Sequence, residues 1–151
     1  MAQQQRPSRV GHRALRLTFD YDGEEMRLQG AEPFEKRTPP SDPLLRDNEA
    51  VRRSGFWVEM RDDSDRVLWR RRLHDPRNVS VEVPAEGRAG RFERVDVDRP
   101  AGSFRVLVPD LPAARRVTVF ASARLSSGGR LSTEEPRGAR RIGTFDLARG
   151  E

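Results

Sequence analysis

The chain carries two imidazoles, His12 and His74, and no thiol. A zinc site needs three or four nitrogen, sulfur or carboxylate ligands at close spacing, as in HExxH or paired cysteines. Neither pattern occurs. His12 stands among arginines and His74 precedes Asp75-Pro76, so both read as solvated histidines. A serine nucleophile needs a base and an oxyanion hole beside it. There is no GxSxG. Ser103 and Ser122 fall within expected strands, and Ser126-Ser127 within a Gly-rich stretch. Asp62, Asp63 and Asp65 resemble the start of a calcium loop. They lack the later ligand positions and the terminal Glu of an EF-hand, and a hairpin turn accounts for them. Phosphate-cradling loops of the GxxxxGK[ST] or GxGxxG kind are missing too. The expectation is a chain with no catalytic residue, no metal site and no cofactor.

Binding chemistry is concentrated in FWVEMRDDSDRVLWRRRL, residues 56–73, with two tryptophans and five arginines. Its alternation predicts a β-hairpin that turns at Asp62–Asp65 or Asp63-Ser64. The expected pairs are Arg61 with Arg66, Met60 with Val67, Glu59 with Leu68, Val58 with Trp69, and Trp57 with Arg70. Phe56, Val58, Met60, Val67 and Trp69 then face a core. Trp57, Glu59, Arg61, Arg66, Leu68, Arg70 and Arg72 face outward. Trp57 and Arg70 suit a cross-strand cation–π pair, and Glu59 lies diagonal to Arg66 and Arg70. Trp and Arg are common interface anchors. Trp57, Leu68, Arg70, Arg72 and Arg66 therefore form the candidate protein-binding surface, with the Pro-rich 31–45 segment as a mobile rim. Single-strand nucleic-acid binders use the same mixture of aromatic and basic groups, so an Arg/Trp sheet face on nucleic acid is the alternative. Against it stand Glu59 on the same face and eleven acids matching eleven bases over residues 55–114.

The elements that must hold this surface are strands. ALRLTFDY (14–21) places Leu15, Leu17, Phe19 and Tyr21 on one face, and EEMRLQG (24–30) returns after Asp22-Gly23 with Met26 and Leu28 inward. Pro33, Pro39, Pro40 and Pro43 mark residues 31–54 as a long connection in which no ladder continues, with one helical turn near Asp47–Arg53. After the hairpin come VSVEV (79–83), RFERVDV (91–97), SFRVLV (103–108), RVTVFASA (116–123) and IGTFDL (142–147). Phe104, Val106, Val108, Val117, Val119 and Ala121 point inward, Leu107 and Phe120 outward. Eight or nine short strands at this spacing predict an all-β, antiparallel two-sheet sandwich, with an immunoglobulin-like arrangement as one form of it. The expected organisation is a flexible basic arm (1–12), one sandwich domain (13–147) with a flexible loop at 126–139, and a tail (148–151).

Composition narrows the setting. The 151 residues suit one domain. Hydrophobic residues make up 34 % and charged residues 35 %, which leaves little core material to spare. The net charge is +5, with +4 in residues 1–16, −3 in residues 17–54 and +4 in residues 115–151, so the excess lies at the ends. Lys36 is the one lysine among 29 bases, a bias that fits a GC-rich bacterial genome better than a binding role. Neither an apolar leader nor an apolar run of membrane length is present, so the cytosol is the expected compartment and no membrane partner is expected.

Two stretches, GFWVEMRDDSDRVLWRRRLHDP (55–76) and GSFRVLVPDLP (102–112), resemble small stand-alone bacterial β-sandwich proteins. The first also resembles the hairpin in the non-catalytic N-terminal sandwich domain of IgA-peptidase-type metallopeptidases. The metallopeptidase HExxH is missing here, so the resemblance implies no activity. It implies an accessory or adhesive module that acts by contact within a bacterial assembly.

Overall fold

The computed structural model describes residues 13–45, 54–78, 80–87, 89–97, 99–122 and 138–148. Among these the chain forms nine strands and no helix. They are β1 (Arg13–Asp22), β2 (Glu25–Glu35), β3 (Phe56–Arg61), β4 (Val67–Leu73), β5 (Ser80–Pro84), β6 (Phe92–Asp96), β7 (Ala101–Pro109), β8 (Arg116–Ala121) and β9 (Arg140–Asp146). All pairings are antiparallel. One sheet runs β2-β1-β7 and a second runs β4-β3-β8-β9; β5 and β6 form a separate two-stranded ribbon. β1 holds the middle of the three-stranded sheet, and β3 and β8 the middle of the four-stranded one.

The two large sheets enclose one core. Leu17 and Phe19 of β1 and Val106 and Val108 of β7 meet Phe56, Val58, Met60, Trp69, Val117, Val119 and Ala121 of the facing sheet. Phe19 stacks on Phe104 at 5.1 Å and takes the edge of Phe145 at 5.4 Å. The period-2 alternation in β1, β3, β7 and β8 selects these residues, because successive side chains of a strand leave on opposite faces. Phe145 needs room in β9. It lies over Gly143, where a Cβ would stand 2.6 Å from the ring.

Pro33 does not stop the ladder as expected. β2 pairs with β1 through Pro33 as far as Glu35, after a bulge opposite Thr18/Phe19. It is an edge strand, where a missing N–H costs no ladder bond on its free side. The chain beyond it runs along β4. The Asp42 N–H donates to Arg70 O at 2.7 Å, the Arg70 N–H to Ser41 Oγ at 3.1 Å and the Arg72 N–H to Asp42 Oδ2 at 2.6 Å. The expected mobile rim is thus, at Ser41 and Asp42, a strap closing the open edge of β4. The expected helical turn at 47–53 lies outside the described residues, as does the 126–139 loop except for Gly138 and Ala139.

Candidate interaction surface

The β3–β4 hairpin turns where expected. Asp62 organises the turn: its carboxylate accepts the N–H groups of Ser64 and Arg66 at 3.0 and 2.9 Å and the Arg66 Nε at 2.9 Å. These bonds, the Arg66 backbone N–H foremost, hold the Asp62 carboxyl below its ordinary range. Asp65 completes the turn at φ 62°.

The register differs from the expected one. Arg61 faces Val67, Met60 faces Trp69, Glu59 faces Arg70 and Trp57 faces Arg72, with a bulge at Leu68. The extra residue turns Leu68 toward the inner core and puts Val67 opposite an outward-facing residue. The two indoles still leave opposite faces. Trp69 belongs to the inner core and Trp57 to a second cluster with Phe120 and Ala139.

That second cluster overturns the expected exposure of Trp57. The outer face of this sheet is a closed layer, and Trp57 is 0 % exposed. Its ring stacks on Phe120 of β8 at 5.2 Å and 8°, and Arg70 lies over it at 5.0 Å. Arg141 and Arg61 approach Phe120 at 5.6 and 5.8 Å. Glu59 is also buried. It accepts the Trp57 Nε1–H at 3.2 Å and both Nε and Nη2 of Arg61 at 3.0 and 2.5 Å. The expected Trp57–Arg70 cation–π contact is present, while Glu59 neutralises Arg61, not Arg66. Of the five candidate residues, Trp57 and Arg70 are buried and Leu68 is half-buried on the inner side. Arg66 and Arg72 remain exposed. Arg66 is tied to Asp62 and Arg72 lies against Gly55. The five do not form one accessible patch, because β8 and Ala139 supply a lid for Trp57 that hairpin parity alone does not reveal.

Exposed apolar surface appears instead on the β5–β6 ribbon. Phe92 is 67 % exposed, Val95 42 % and Val83 37 %. The pairing sets Val83 opposite Glu93 and Pro84 opposite Phe92, so Val83 and Val95 share one face and Phe92 lies on the other. Neither strand pairs with any other strand among the described residues. The two legs of the ribbon are clamped, however. On the first leg Arg77 is buried and forms a fork with Asp75 at 3.0 and 2.9 Å, under the ring of Phe56. Beside it Tyr21 Oη donates to Pro76 O at 3.1 Å. On the second leg the Gly23 N–H donates to Pro100 O at 2.8 Å, and Arg99 forms a fork with Asp22 at 2.8 and 3.2 Å. The hydrogen bond from Arg99, then its charge, holds the Asp22 carboxyl below its ordinary range. Both legs are therefore tied to Tyr21, Asp22 and Gly23, where β1 turns into β2, while Phe92, Val95 and Val83 on the shaft stay exposed. Exposed residues with strand alternation were visible in VSVEV and RFERVDV; that this pair stays outside the sandwich was not.

Among the described residues no three His, Asp or Glu side chains converge as a metal site would require. Among the described residues no helix is long and apolar enough to cross a membrane. No protein-family model, curated protein or solved structure matches the chain, so its functional reading stands on geometry.

Proposed function

We propose that the chain is a non-enzymatic protein-interaction module whose contact element is the β5–β6 ribbon, clamped at its base and bare along its shaft. The supporting observation is Phe92, two-thirds exposed on a strand that pairs only with β5 among the described residues. A two-stranded ribbon is marginal in water by itself and gains stability from a third strand or a covered face. Free strand edges beside apolar side chains are the setting for strand addition by another protein. An aromatic at such a site is a natural anchor. The nucleic-acid alternative loses its platform, because Trp57 is stacked between Phe120 and Arg70 and offers no open ring face to a base. The proposed setting is a bacterial cytosolic assembly, in line with the arginine-biased composition and the resemblance to contact modules.

The test is photo-crosslinking of the full chain in the cells that make it. A benzoylphenylalanine is placed at position 92 in one variant and at exposed position 27 of β2 in another. The expected result is a discrete heavier adduct from position 92 and none from position 27. Equal yields from both, or none from position 92, overturn the proposal.

A further inference from the structure

Resting on that interaction reading, we infer that the partner of the ribbon is a second copy of this chain, joined edge to edge through β6. Isologous pairing of two ribbons yields a four-stranded sheet ordered β5-β6-β6-β5, which passes the three-strand minimum that one ribbon fails. β6 is the suitable edge. β5 ends in Pro84, which has no N–H for a ladder, whereas Phe92–Asp96 contains no proline.

Symmetry then selects the register. Two identical antiparallel strands in one sheet are related by a two-fold axis normal to it, so one residue must face its own copy. Centring the axis on Glu93 or Arg94 would set like charges directly opposite, which destabilises a sheet, and centring it on Phe92 would lay the strand against the turn at 89–90. Centring it on Val95 sets valine against valine. It also puts Arg94 across from position 96, an acid, on both sides of the axis. Arg94 is open to such a contact, since its own bridge to Glu82 is long, 3.8 Å, and its side chain is 73 % exposed. Val83 and Val95 share a face with Glu93, so the joined sheet carries Val83 and Val95 of both copies, beside the two Glu93 side chains, on that face and two Phe92 rings on the other.

The chain has no cysteine, which makes the register testable. In Val95→Cys the two sulfurs would stand at cross-strand distance, within the Cα separation of about 4.4–6.8 Å that a disulfide spans. Mild oxidation is expected to convert Val95→Cys to a covalent dimer rapidly and to leave Glu82→Cys, on β5, mostly monomeric. Sedimentation equilibrium of the unmodified full chain is expected to show a reversible dimer. Val95→Lys, which sets two ammonium groups face to face, is expected to raise the dissociation constant about tenfold or more, with an unchanged melting temperature at dilutions where both proteins are monomeric. A monomer at every concentration, or equal crosslinking of the two cysteine variants, overturns the inference. A position-92 photo-adduct of a mass other than twice the chain's also overturns it, yet leaves the interaction reading standing; the absence of any adduct removes both.

Discussion

Replacing Trp57 by alanine discriminates sharply between an exposed anchor and a buried one. An exposed tryptophan on a sheet face would be removed with little effect on stability. The observed ring is fully buried, stacked on Phe120, covered by Arg70, and bonded through Nε1 to Glu59. Truncating a buried Trp to Ala costs about 3–5 kcal/mol in lost burial and cavity. Loss of the indole donor also leaves Glu59 Oε1 short of a partner in a dry site, a cost of roughly 1–3 kcal/mol. The two overlap because they share one side chain, so the whole is set at about 4–5 kcal/mol. For a chain of this length each kcal/mol moves Tm by about 2–4 °C, giving a fall of about 10–15 °C. Far-UV circular dichroism through a thermal ramp reads it without relying on the deleted fluorophore. Trp57→Phe keeps a stacking ring and deletes the donor, so it is expected to lose only about 1–3 kcal/mol. In the unmodified chain acrylamide should quench both tryptophans poorly. A Tm shift below about 2 °C for Trp57→Ala, on the same size scaling, would refute the closed outer layer.

Acid should loosen the ribbon base. Asp22 has a lowered folded pKa because of Arg99, so its contribution is fully present above the unfolded carboxylate value, about 3.9, and is lost as pH falls through the lowered value. The protection factor of the Gly23 N–H, which donates to Pro100 O, is expected to fall below that value, and Asp22→Asn should show a reduced protection factor already at neutral pH; a Gly23 amide equally protected at low and neutral pH would count against the clamp. Gly143→Ala should cost about 1–3 kcal/mol, since a methyl there meets the Phe145 ring; urea denaturation checks it, and an unchanged midpoint would contradict the close approach.

Parity was legible in the residues themselves. In FWVEMR and RVTVFA the alternation separates Val58, Met60, Val117 and Val119 from Trp57, Glu59 and Phe120, and the structure keeps that separation. Face membership is local, because it follows from the pleat of one strand. The hairpin turn was equally local, since Asp62 bonds only residues within four positions of itself. Pairing across distance was not local. The bulge at Leu68 moved the register without disturbing the sides of the two indoles, and no residue of β4 announces it.

The chain sequence by itself determined which residues lie together on a face, where the tight turns fall, and that the fold is all strand. Only the tertiary structure decided which faces meet water. Phe120 of β8 and Ala139 before β9 close over Trp57, and nothing within the hairpin specifies them. The ribbon shows the converse: β5 and β6 alternate like sandwich strands, yet they pair only with each other. The physical reason is that a strand's own pattern sets the direction of its side chains, whereas their burial depends on strands remote in sequence that arrive opposite them, or fail to.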